Sequence, residues 1–363
     1  DSNTYTATKM KRPTVDAEVI LPAENLHADM HGVALLKERL PKTDILVAIG
    51  SGTIHDIVRY CAAERGIPFV SAPTAATVDG FASSVAAMTW HGFKKTFPAV
   101  APVLVLADLD VISAAPAHLA LAGVGDILGK YICLADWKIS HILTAEYYCD
   151  YIADLTRRAV DKIRDSADGL ARHDATAFES LMYGLILSGV AMQLAGNSRP
   201  ASGAEHHISH LLEMGVLQEC SAMHGEKVGV AAPLCAAIYH NIAAIDDISD
   251  RVSAYSPLND DWVKKQFGPL SNYILEENHN DCLVAVTPDA LKLHWNKIRG
   301  ILHSIPTQCE LTAFLRGLGA KAVPEDIGLR RELVPSLISL SPLVRNRLTM
   351  MRILRMLKTD NLY

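Results

Sequence analysis

No CxxC pair occurs among the seven cysteines (Cys61, Cys133, Cys149, Cys220, Cys235, Cys282, Cys309). A scattered, odd set supplies neither a disulfide framework nor a zinc ribbon, so reduced thiols in a cytoplasmic protein are expected. There is no basic block and the net charge is −6, which argues against nucleic acid as a partner. No apolar run spans a bilayer comfortably. The longest, "LMYGLILSGVAMQLAG" (181–196), is rich in small residues and reads as a buried core helix, so no stable membrane insertion is expected. The front carries neither Met nor a positive-then-apolar leader, and it reads as trimmed. Internal repeats and low-complexity linkers are lacking too.

What is present is a chain of 363 residues, half of them hydrophobic and a fifth charged, long enough for two domains. "DILVAIG" (44–50) reads as a buried strand and "TIHDIVRYCAAERG" (53–66) as a helix stopping at Gly66. "IPFVSAPT" (67–74) and "APVLVLADLDVI" (101–112) are the next two strands, with a hairpin over 84–97 turning at His91-Gly92. This alternation indicates a Rossmann-like parallel sheet. After about residue 115 helical periodicity takes over, at 127–147, 150–167, 176–196 and 204–215, and again at 336–358 with a break at Pro342. The expected organisation is an α/β domain (1–115) and an all-helical domain (116–363), with ligands in the cleft between them.

Two loops follow two strands. In "VAIGSGTIHDIV" (47–58), Gly50 and Gly52 stand between a strand and a helix, where backbone N–H groups attract phosphate. The third glycine of the Rossmann pattern is missing, and a plain strand-to-helix turn explains two glycines equally well. "SAPTAATVDGFASS" (71–84) adds Thr74, Thr77, Asp79 and Ser83 at the end of the next strand. Ligands of open α/β sheets sit outside the carboxyl ends of the strands, so the two loops together say more than either alone. Asp79 suits a substrate hydroxyl, although an Asp-Gly turn competes with that reading.

"GAEHHISHLLEMGVLQECSAMHGEKVG" (203–229) concentrates histidine. On a helix, His206 and His210 share a face while His207 points about 100° away. His224 follows on a separate element, and "GVGDILGK" (123–130) offers Asp126 at a helix start. One Asp and two His make a three-ligand set with open positions, the pattern of a catalytic metal site. Taken singly, a histidine on an amphipathic helix is more often packed or exposed, and Asp126 also suits an N-cap. Beside a nucleotide loop, the set suggests hydride transfer between a nicotinamide and a metal-bound carbon–oxygen group.

"VAIGSGTIHDIVRY", "APTAATVDGFASS", "LADLDVI", "GVGDILGK", "SRPASGAEHHISHLLEM" and "MHGEKVG" resemble, in that order, the motifs of the sn-glycerol-1-phosphate dehydrogenases, nearest the bacterial branch found with arabinose operons. The resemblance covers residues 1 to about 240 and, less sharply, "VRNRLTMMRIL". These enzymes belong with glycerol dehydrogenase, the iron-type alcohol dehydrogenases and dehydroquinate synthase, which implies the dehydroquinate-synthase-like two-domain fold. It implies reversible reduction of dihydroxyacetone phosphate to sn-glycerol 1-phosphate by NADH or NADPH, one divalent metal (zinc or nickel), and a homodimer. By motif, Asp126, His206 and His224 look like the metal ligands. Gly52, Thr53, Ile54, His55, Asp56, Thr74, Ala75, Ala76, Thr77 and Ser83 look like the nucleotide contacts, joining Gly50. Asp79, Asp126 and His210 look like substrate contacts, with His210 and Asp126 as the catalytic pair. His206 is preferred to His207 because the family motif reads Glu, His, two residues, Ser, His, here Glu205-His206 through Ser209-His210.

Two departures stand out. Ser51 and Thr53 replace the glycine and lysine of many relatives, and "DSNTY" (1–5) resembles a segment that usually follows one strand and one helix, so that pair is expected to be lacking. Candidate phosphate donors are Arg199, Lys130 and Lys227, each of which also suits a solvated charge. The competing functions are a phosphate-free polyol dehydrogenase, a lyase using NAD catalytically, and a non-catalytic NAD-binding protein.

Overall fold

The computed structural model describes residues 1–7 and 14–358. The chain divides into two compact units, one of residues 1–127 and 154–198, the other of residues 128–153 and 199–363. Compactness thus places the helices of 154–198 with the α/β part rather than with the remaining helices.

In the first unit, β1 (Leu46–Gly50), β2 (Phe69–Pro73) and β5 (Leu104–Val105) form a parallel sheet in the order β1-β2-β5. The register pairs Gly50 with Pro73, so the two polar loops leave adjacent strands at the same end. The Gly52–Arg65 helix connects β1 to β2 and stops where expected, on Gly66 at φ 66, a left-handed cap that glycine takes without penalty. It buries Ile57, Cys61 and Ala62 with Phe69 and Met88 in the core of this unit. β3 (Val85–Trp90) and β4 (Phe93–Pro98) are the antiparallel hairpin. It turns at His91 (φ 52) and Gly92 (φ 78), and two positive φ values match the twist of a two-residue hairpin loop.

The expected third strand over 101–112 is mostly absent. Leu104–Val105 pairs with β2, the Val103 and Leu106 amides donating to the Phe69 and Ser71 carbonyls (2.9 and 2.8 Å), and the strand ends before Asp108, whose carboxylate accepts from the Asp110 and Val111 amides (3.0 and 3.3 Å) and starts the Leu109–Ser113 helix.

The second unit is helical. Its longer helices are Lys130–Thr144, Ala204–Glu213, His224–Ala243 and Pro288–His303. Buried Asp136 fastens three of its segments, accepting from Tyr239 Oη (2.7 Å), the Ala204 amide (2.9 Å) and the Met350 amide (2.8 Å). The C-terminal stretch breaks near Pro342 as expected but is more fragmented. It comprises Val334–Leu340, a short turn over Ser341–Leu343, and Met350–Ile353. Two helical stretches, Ala117–Thr144 and Ala175–Ala195, are long and apolar enough to cross a membrane, yet 78% and 61% of the relevant window is buried inside the protein.

Candidate metal centre and nucleotide loops

The first loop owes its glycines to packing. A Cβ on Gly50, which sits at φ 158, would meet Ile54 Cγ1 at 2.8 Å, and one on Gly52 would meet Val78 Cγ2 at 2.8 Å. Gly50 thus packs against its own helix, and only Gly52 lets the first loop approach the second, whether or not a ligand is present. What points to an anion is the helix start. Ser51 occupies the N-cap in extended conformation and makes no side-chain cap, and the first N–H groups of any α-helix find no acceptor within it.

His55 is buried and its Nδ1 lies 2.8 Å from the Ser51 carbonyl. A carbonyl only accepts, so Nδ1 carries the hydrogen. Burial, the largest cause, holds the ring's pKa down to about 3, keeping it neutral. Asp56 pairs with Arg59 (2.9 Å), a residue that sequence reasoning missed. Fully buried Arg59 also donates to the Gly80, Phe81 and Val85 carbonyls, and so fixes the second loop from the first helix.

In the second loop Thr74 and Thr77 are buried, and among the described residues the Thr77 hydroxyl has no hydrogen-bond partner. Ala75 and Ala76 are buried beside them, against Gly123, where a Cβ would lie 2.1 Å from the Ala76 carbonyl oxygen. Ser83 is turned inward: its hydroxyl accepts from the Val85 amide (3.1 Å). Asp79 is held at both ends. Its amide donates to Asp126 Oδ2 (3.0 Å) and its carboxylate accepts from Ser188 Oγ (2.8 Å). Ser188 stands more than a hundred residues away on the Ala175–Ala195 helix, and no local pattern announces it.

In the helical unit the histidines are oriented by carboxylates. His206 Nδ1 lies 2.7 Å from Glu205 Oε1, which also accepts from the Gly203 amide (2.8 Å). His224 Nδ1 lies 2.6 Å from Glu213 Oε1, with Ser209 Oγ 3.2 Å from each. A carboxylate partner puts the hydrogen on Nδ1 and makes Nε2 the lone-pair nitrogen, the arrangement in which histidine binds a metal. The rings of His206 and His224 are 5.2 Å apart, and His210 stacks on His224 at 5.8 Å. His207 differs. It is buried, neither ring nitrogen has a partner, and burial holds its pKa well below the ordinary value.

Asp126 stands not at a helix start, as expected, but in the last turn of the Ala117–Leu128 helix, so it caps no N-terminus there. Asp126, His206 and His224 each offer one ligand atom, and the three atoms lie within 4.8 Å of one another. One carboxylate and two imidazoles backed by carboxylates fit a divalent cation with open positions.

Residues 3–116 match the model of the iron-containing alcohol dehydrogenases. A glycerol-1-phosphate dehydrogenase (NAD(P)+) of Geobacillus thermodenitrificans is 33% identical over 97% of this chain and 84% of its own length. The chain belongs to the glycerol-1-phosphate dehydrogenase family. A second member, from Bacillus licheniformis, is 44% identical over 63% of this chain, a stretch spanning 60% of that relative's length. The fold resembles that of a probable glycerol dehydrogenase from Sinorhizobium meliloti, with 17% identity, a TM-score of 0.59 and coverage of 91% of this chain and 80% of that one.

Proposed function

We propose that this chain reversibly reduces dihydroxyacetone phosphate to sn-glycerol 1-phosphate with NADH or NADPH. The observation that carries this reading is the convergence of Asp126, His206 and His224, with each imidazole aimed by its own glutamate. Family membership supplies the substrate class: the relatives that match are named glycerol-1-phosphate dehydrogenases.

In this reading Asp126, His206 and His224 hold one divalent cation, zinc or nickel, a choice that an Asp–His–His set does not settle. A cation held by these three residues would supply Lewis-acid polarisation of the substrate carbonyl and stabilisation of negative charge on its oxygen. The uncapped start of the Gly52–Arg65 helix receives the dinucleotide's phosphates, and the 74–77 segment flanks it. Glu205 and Glu213 keep both imidazoles in one tautomer and orientation. His210 protonates the product oxygen, directly or through a water it orients. Asp79, fixed by Ser188, meets a substrate hydroxyl. We further propose a cytoplasmic homodimer without membrane insertion. None of the seven cysteines is in a disulfide, in keeping with a reducing compartment.

The test follows nicotinamide absorbance. Chelator-stripped protein given dihydroxyacetone phosphate should oxidise neither NADH nor NADPH, and adding back zinc or nickel should restore oxidation. Silence with both metals and both nicotinamides overturns the proposal. A preference for glycerol over glycerol 1-phosphate in the reverse direction moves the assignment to a polyol dehydrogenase.

A further inference from the structure

A phosphorylated substrate needs a cation to receive its phosphate, and the structure separates the three basic residues that the sequence offers. Arg199 is committed: Nε donates to Glu146 Oε1 (2.7 Å), Nη1 to the Leu348 carbonyl (2.8 Å) and Nη2 to Ser140 Oγ (3.0 Å) and Glu146 Oε2. Fully buried Lys130 donates to the Ala201 carbonyl (2.9 Å) and so braces the segment before the histidine helix. Lys227 is different. It is 5% exposed, and among the described residues its ammonium has neither a hydrogen bond nor an ion pair.

An enclosed side chain whose ammonium has no protein partner among the described residues is placed to receive an anionic ligand. The position of Lys227 says which ligand. It lies three residues after His224 on the His224–Ala243 helix, a spacing that puts two side chains on one face as neighbours. In dihydroxyacetone phosphate only a methylene and an ester oxygen separate the carbonyl carbon from the phosphorus. A substrate whose carbonyl oxygen approaches His224 is long enough for its phosphate to reach the neighbouring turn.

We infer that Lys227 receives the substrate's phosphate and sets the preference for dihydroxyacetone phosphate over dihydroxyacetone, an assignment that rests on the function proposed above. It makes Lys227 a specificity residue, with no part in hydride or proton transfer.

The test compares kcat/KM for dihydroxyacetone phosphate and for dihydroxyacetone in the metal-loaded parent and in Lys227→Met. The ratio of the two should fall by about 10-fold or more in the variant, the loss typical of a charge-assisted hydrogen bond. The change should be carried by KM, with Lys227→Arg retaining part of the preference. Independently of turnover, the rise in melting temperature that glycerol 1-phosphate gives over glycerol should shrink in Lys227→Met. A parent that prefers the phosphorylated substrate and a variant whose ratio stays within about two-fold overturn the inference alone. So does a variant that loses both substrates equally, which would assign Lys227 to packing. A parent without the preference overturns the proposed function and this inference together.

Discussion

At the scale of single residues, a glutamate stands behind each of two histidines of the candidate centre. Glu205 is fully buried, and its Oε1 is shared by the His206 ring and the Gly203 amide. Glu205→Gln puts an amide where a carboxylate stood, weakening the donor strength of Nε2 and loosening the ring. Metal affinity, measured by competition with a chromogenic chelator, should fall about 10- to 100-fold; an unchanged affinity would remove Glu205 from the site. The candidates Asp126, His206, His210 and His224 could be picked out in the sequence because they stand in compact motifs. Glu205 and Glu213 were in plain view, in "GAEHHISHLLE", but spacing does not say which carboxylate turns toward a ring. Arg59 was hidden more deeply, since a helical arginine reads as solvent-facing until the loop that covers it is in place.

At the scale of elements, small residues let backbones meet. The Ala117–Leu128 helix touches the 74–77 segment through Gly123. Gly123→Ala would force a methyl onto the Ala76 carbonyl, an overpacking that costs about 1–3 kcal/mol. The melting temperature should drop and NAD(H) should bind more weakly, as calorimetry and nicotinamide fluorescence would show. Gly80→Ala is the control, because an added Cβ there meets nothing within 4 Å; equal effects in the two variants would refute the contact. Element positions were largely readable where periodicity was strong, as in the Gly52–Arg65 and Ala175–Ala195 helices. The third strand was misread because "VLVLADLDVI" is apolar enough for a strand throughout, whereas the strand ends before Asp108, which caps a helix.

At the scale of the molecule, Asp136 shows how distant stretches are fastened in the helical unit. Burial is the largest influence on its carboxyl and raises its pKa to about 7, against three donors that favour the ionised form. In the unfolded chain the group titrates near 4. Between these values the folded state holds the extra proton, so this group's contribution to stability is full below about pH 4, declines as pH rises toward 7 and is constant above. Asp136→Asn removes that titration while misplacing an amide hydrogen against a donor. Its melting temperature should trail the parent's most near pH 5 and less near pH 8; a gap independent of pH would show that Asp136 keeps an ordinary pKa. Nothing local in the sequence marks this residue, because its partners at 204, 239 and 350 come together only in the fold. A similar economy governs Asp126, which holds the Asp79 amide with one oxygen and offers a ligand atom to a cation. A carboxylate shared in this way ties two binding equilibria together. By whatever factor an occupant of the 71–84 loop would alter the grip on a cation held by Asp126, the cation would alter the grip on that occupant by the same factor.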